Sequence, residues 1–410
     1  MNVALNVKIM LVITIAIVLS IGMVMMIATD QLGSGFKTSL IPFENHKIIN
    51  ANNRFSLDMY FEMIKENKDN VFFSPVSMSS AFAMLYEGSN GNTASEIEQV
   101  FGFEPDDSKR RDGFAALQQS LNPKDKQYDL EFANALWVAD NFELFTEYLY
   151  VAIAYYDNKV ESLDFSSKNA VDIINTWTNE KTGGKIEKIF DNLSSGTNLV
   201  ITNAIYFKGT WVNQFEPEKT KDQKFWITED KFVYATTMNL SRTDLKYTRD
   251  ENLQVLELPY DGTGVSMLVL LPERLDGLKL LEESLTVEKV SEWRDPLESV
   301  KIAVSLPKFT METSYDLKRP LINLGVVDVF DGKASDFSGM SDSKGLFVAK
   351  AIHKAFVDVN EEGTEAAAST GVAMLQSGLS FRADHPFMFM IQDNITGQIL
   401  FIGRVMDPTA

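Results

Sequence analysis

Residues Glu361 to Phe381, EEGTEAAASTGVAMLQSGLSF, constrain this chain more than any other stretch. From Ala366 to Phe381 there is no charge and no proline, and nearly every side chain before Val372 is small. A solvated loop carries Pro, Asn, Asp and charge. This one carries none of them, although it lies between two strand-like segments. On a strand, Thr364, Ala366, Ala368, Thr370, Val372 and Met374 share one face, and Glu365, Ala367, Ser369, Gly371 and Ala373 the other. One face grades from small to apolar, and the other is small or polar. The composition is that of a central strand written where a loop is expected.

The segment Glu361-Glu362-Gly363-Thr364-Glu365-Ala366-Ala367-Ala368 resembles the hinge of the serpin family of protease inhibitors. Asn70-Val-Phe-Phe-Ser-Pro-Val-Ser77, Thr202-Asn-Ala-Ile-Tyr-Phe-Lys-Gly-Thr-Trp211 and Ala383-Asp-His-Pro-Phe387 are similar to further motifs of that family, in its order. The likeness runs from about Ile41 to Pro408 and is of the prokaryotic, inhibitory type.

The formal net charge of −19 leaves no basic field for nucleic acid or heparin. The one basic cluster, Lys109-Arg110-Arg111, is flanked by Asp106, Asp107 and Asp112 and reads as a solvated helix face. With no cysteine there is no disulfide, no thiolate nucleophile and no Cys-ligated metal. Ile9 to Ala28 form an apolar run after Lys8, long enough to span a bilayer. Residues 1–30 are therefore expected to be either a signal peptide or an uncleaved membrane anchor, with Lys8 inside and the rest outside the cytoplasm. Residues 31–40, around Gly33-Ser-Gly35, read as a linker, and 41–410 as one domain with an exposed loop at about 361–382.

Helical spacing appears from Asn52 to Lys65, and over Ala94–Val100, Arg111–Leu121 and Ala170–Thr182. Ser74-Pro75 has the form of an N-cap with proline at the first helical position, for a helix ending at Gly88. Leu199–Phe207, Gln254–Leu258, Ser266–Leu271 and Lys301–Leu306 read as doubly buried strands, with a turn at Asp261-Gly-Thr-Gly264. Phe387–Ile391 and Ile399–Val405 form a terminal hairpin. Helices gathered first and strands later indicate an α+β fold. The resemblance implies a single serpin-type domain with three β-sheets.

No G-x-S-x-G, H-E-x-x-H, phosphate loop or dinucleotide fingerprint occurs. The histidines His46, His353 and His385 lack a ligand spacing, so neither metal, cofactor nor enzymatic activity is expected. The resemblance implies instead a bait loop. A serine protease attacks it, and the cut loop enters the main sheet as a new strand, distorting the acyl-enzyme. The hinge glycine matches Gly363, and the family's scissile residue lies about fourteen positions on, at Ser377 before Gly378. Gln376–Ser377 is the second choice, within a window from Met374 to Gly378. Elastase-, chymotrypsin- or subtilisin-like targets are implied, since the window has no Lys or Arg. Ser74, Ser77, Asn203 and His353 match the family's polar cluster beneath the sheet. Trp211 matches the aromatic at the point of loop entry, and Lys308 the partner of Glu361. A non-inhibitory binding or chaperone protein on the same fold is the alternative. Small residues at 364 and 366–370 favour inhibition, and Gly371 is a mild departure.

Overall fold

The computed structural model describes residues 43–121, 128–262, 264–364 and 378–410. The first half holds α1 (Phe43–Glu66), α2 (Pro75–Glu87), α3 (Gly91–Phe101), α4 (Asp107–Leu121), α5 (Thr146–Tyr156) and α6 (Ala170–Lys181). Helix α2 starts as its sequence dictates. Ser74 is the N-cap, its Oγ accepts from the Ser77 N–H at 3.3 Å, and Pro75 costs no helical hydrogen bond there. Helix α1 begins nine residues before the expected Asn52. Asn52 and Asn53 face inward in it, because their amides donate to the Ile399 and Gly397 carbonyls at 3.0 and 2.8 Å. Buried polar residues on the core face hide its period. Helix α5 has no counterpart among the expected helices: Tyr148 and Tyr156 are buried while Tyr150 and Ile153 are exposed, so no apolar stripe marks it.

Six strands form the main sheet: β2 (Tyr128–Ala139), β3 (Lys159–Leu163), β4 (Leu199–Thr210), β10 (Phe309–Asp316), β11 (Val348–Val359) and β12 (Gly363–Thr364). Their order is β10-β11-β4-β2-β3, with β12 on β4. The second sheet takes β1 (Val71–Phe73), β5 (Lys221–Thr228), β6 (Lys231–Arg249), β7 (Leu253–Pro259), β8 (Val265–Pro272), β9 (Glu298–Pro307), β13 (Ser380–Arg382), β14 (Phe387–Asp393) and β15 (Ile399–Val405). The expected second and third sheets are continuous here because β6 is long enough for both. Its start pairs with β5, its middle with β9 and its end with β7. Each expected strand is present; Ile399–Val405 has the expected bounds and the others are longer by one to three residues at one or both ends, and Gly262 takes the left-handed conformation (φ 63°) in the β7–β8 turn.

The two sheets meet in an aromatic core. Phe72 of β1 stacks on Phe401 and Phe389, and Phe207 of β4 meets Tyr260 and Phe401. Among the described residues, no helix is long and apolar enough to cross a membrane.

Candidate functional site: the seam between β4 and β11

Strands β4 and β11 run parallel, with Asn203 opposite His353 and Tyr206 opposite Phe356. Their flanking pairs, β2–β4 and β10–β11, are antiparallel. After β11 the chain reverses in a tight turn. The Asn360 N–H donates to the Gly363 carbonyl at 2.9 Å, and the Gly363 N–H donates back at 3.3 Å. Two residues of β12 then lie antiparallel on the top of β4, Gly363 opposite Thr210 and Thr364 opposite Gly209. Only glycine fits at 363. Its φ is 155°, and a Cβ there would sit 2.0 Å from the Gly209 carbonyl oxygen.

Trp211, Lys308 and Glu361 lie together at the head of β4. The Trp211 N–H donates to the Glu362 carbonyl at 2.8 Å, and its indole Nε1–H to the Asn360 carbonyl at 3.0 Å. The indole stacks on Tyr260 at 4.4 Å. Lys308 Nζ lies 2.8 Å from the Glu361 carboxylate, which also accepts from Thr220 Oγ1 at 2.8 Å. Partial burial pushes the Glu361 carboxyl up, but the Lys308 and Thr220 hydrogen bonds outweigh it and hold the group below its ordinary range.

Beneath the seam, Ser74, Ser77, Asn203 and His353 come together with no surface exposed to solvent. His353 Nε2 accepts from the Ser74 N–H at 3.2 Å, so its proton is on Nδ1, which donates to Asn203 Oδ1. Asn203 Nδ2 donates to Ser77 Oγ at 2.7 Å and to Asn134 Oδ1. Burial draws the His353 pKa down to about 3, so the ring is neutral. The network is therefore built of uncharged dipoles, and its direct bond across the seam is Asn203–His353. Asn134 and Thr220 belong to these sites without having been singled out. Asn134 enters only through the β2–β4 register, which local sequence does not reveal.

Of the expected loop residues, Glu361 to Thr364 and Gly378 are described. Glu365, Ala366, Ala367, Ala368, Gln376 and Ser377 lie outside the described residues. Beyond the loop, β13 runs parallel to β9, with Phe381 opposite Val304. The expected solvated face at Lys109-Arg110-Arg111 is corrected. Arg110 is buried and, with Arg111, grips the buried Glu87 carboxylate at 2.8 and 2.7 Å. The basic residues neutralise an acid at the end of α2 and offer little charge to a polyanion. No group of three or more metal-ligating side chains occurs among the described residues.

The family model for Serpin (serine protease inhibitor) matches residues 50–408. A serpin-like protein of Methanosarcina acetivorans is 39% identical over 89% of this chain and 87% of its own. The leukocyte elastase inhibitor of Bos taurus is 41% identical over 87% of this chain and 98% of its own. Among solved structures, human thyroxine-binding globulin complexed with thyroxine superposes with a TM-score of 0.83 at 30% identity, covering 90% of this chain and 100% of that one. Serpin48 of Tenebrio molitor gives 0.81 at 34% identity, covering 91% and 100%. The chain belongs to the serpin family.

Proposed function

We propose that this protein is a suicide-type inhibitor of serine endopeptidases, which traps the acyl-enzyme by inserting its cleaved loop between β4 and β11. One observation carries the reading: β12 is already hydrogen-bonded to the head of β4, in a register that can be continued. Carried down the strand, that register sets residues 363–374 against Thr210–Leu199, the whole length of β4. Ala366 then lies beside Phe207, Ala368 beside Ile205, Val372 beside Ile201 and Met374 beside Leu199, all on the core face. On the outer face Glu365 falls beside Lys208. The alternation of the loop sequence is the alternation this register requires.

The bond cut lies just beyond that span, at Ser377–Gly378 or Gln376–Ser377. Elastase-, chymotrypsin- and subtilisin-like enzymes are the targets, in keeping with the leukocyte elastase inhibitors among the relatives. The apolar run at 9–28 supports export, with the inhibitor secreted or held at the cell surface. The second reading, a binding protein, is supported by the fold shared with thyroxine-binding globulin. The small hinge residues weigh against it.

Incubation with elastase, chymotrypsin, subtilisin and trypsin decides between them. An inhibitor gives a complex that survives boiling in detergent and releases a C-terminal peptide starting at Gly378 or Ser377. Cleavage of the loop by elastase, chymotrypsin or subtilisin with no such complex from any of them overturns the reading.

A further inference from the structure

On the outer face of the seam, directly above the point where it must part, sits a lysine. Tyr206 of β4 and Phe356 of β11 are register partners whose rings lie 6.1 Å apart at 48°. They are three residues along from the Asn203–His353 pair, and so on the opposite face of the sheet. Lys185, in the segment between α6 and β4, places Nζ 5.9 Å from the Tyr206 ring centre and 5.7 Å from that of Phe356. Both distances are within the range of cation–π attraction. The segment is anchored. The Lys185 N–H donates to the Thr182 carbonyl at 3.0 Å, the Ile186 N–H to Thr182 Oγ1 at 3.2 Å, and both Thr182 and Ile186 are buried.

We propose that Lys185 is a positioning residue that holds the seam closed and sets the rate of loop insertion, a role that rests on the inhibitory reading above. The argument is geometric. Neighbouring strands are about 4.8 Å apart, so a new strand between β4 and β11 carries the two rings to about 11 Å. The register puts Ala367 between them, beneath the ammonium. One cation within about 6 Å of each ring is then no longer available, since the space between them is filled. Lys185 thus binds the closed seam better than the open one, and a group with that preference shifts the equilibrium and slows opening. Losing a contact of this class corresponds to about a fivefold to thirtyfold change.

The test uses the full chain and a synthetic peptide with the sequence of residues 363–374, whose uptake into the seam is followed on native gels. Lys185→Gln takes up the peptide about fivefold to thirtyfold faster than wild type, Lys185→Arg restores the wild-type rate, and Phe356→Leu mimics Lys185→Gln. In the double variant the two effects fall short of additive, because both substitutions remove the Lys185–Phe356 contact. Against a protease, Lys185→Gln also lowers the number of inhibitor molecules consumed per enzyme trapped. Equal uptake by Lys185→Gln and wild type, failure of arginine to rescue, or additive effects of the two substitutions each overturn the proposal. A wild type that traps no protease yet takes up peptide at a Lys185-dependent rate refutes the inhibitory reading and leaves the latch standing.

Discussion

Lowering the pH from 7 to 5 should loosen this protein through one residue. His353 is completely buried, and burial alone takes its pKa from 6.5 to about 3. Above pH 6.5 the ring is neutral in both the folded and unfolded chains and contributes nothing. Between pH 6.5 and 3 the unfolded chain binds a proton at this position and the folded chain does not. The unfolded state is therefore favoured progressively as pH falls through that window. At 1.36 kcal/mol per pH unit, pH 5 lies far enough below 6.5 to remove about 2 kcal/mol. The structure explains why the folded state resists protonation. A second proton must go on Nε2, which faces the Ser74 N–H at 3.2 Å, donor against donor.

Glu361 does not confuse the measurement. Its depressed pKa gives stability that is present above its ordinary value of 4.5 and is lost only as pH falls below it, so at pH 5 the carboxylate is still charged. The assay is urea unfolding followed by tryptophan fluorescence, at pH 7 and pH 5, on wild type and His353→Gln. Wild type should lose about 2 kcal/mol more than the variant in the first transition between the two pH values. Identical losses in the two proteins would refute the reasoning, because the titrating group would then lie elsewhere.

Three other outcomes follow from the same geometry. Thr364→Arg places a charge at the position paired with Gly209, at the head of the strand that must enter the sheet, so the loop should be cleaved without a detergent-stable complex on gels. Arg110→Ala leaves the buried Glu87 carboxylate to Arg111 and the Tyr156 hydroxyl and should cost about 1.5–3 kcal/mol in urea, whereas the exposed Lys109→Ala should fall within about 0.5 kcal/mol of wild type. Thr370 arrives between Asn203 and His353 in the continued register, so Thr370→Val should weaken the cleaved form by about 1–3 kcal/mol and leave the intact form unchanged.

The site was more legible than the fold around it, and the reason is physical. Gly363, Trp211, Lys308 and His353 each sit in short motifs whose geometry is local or whose partners lie in other motifs, so the resemblance located them. The Ser74 cap of α2 depends on its own next three residues and could be read directly. Asn134 could not, because its role depends on which residue of β4 lies opposite it, and register is a tertiary fact. Arg110 failed for a similar cause. Flanking aspartates suggested solvent, while the partner that buries it, Glu87, comes from another helix. Lys185 is separated by sequence from both rings it covers, and nothing near it hints at them.

The seam sits where the sheet has most to gain from another strand. Strands β4 and β11 are joined by a parallel ladder, slightly weaker per residue than an antiparallel one, between two antiparallel pairs. A strand entering in the direction of β12 is antiparallel to both neighbours. It replaces one parallel pairing with two antiparallel ones and continues the alternation of direction on either side. The side-chain contacts that add to the parallel ladder are small and specific: on the core face the neutral Asn203–His353 bond, on the outer face the Tyr206–Lys185–Phe356 contact. Each lies where the register delivers an incoming residue: Thr370, whose hydroxyl can bond the amide or the imidazole, and Ala367, which separates the two rings. Two facts of separate origin therefore agree: the alternation written in residues 364–374, and the register fixed by a two-residue contact at the top of β4. A shift of one residue in either would turn the apolar face toward solvent and abolish the gain.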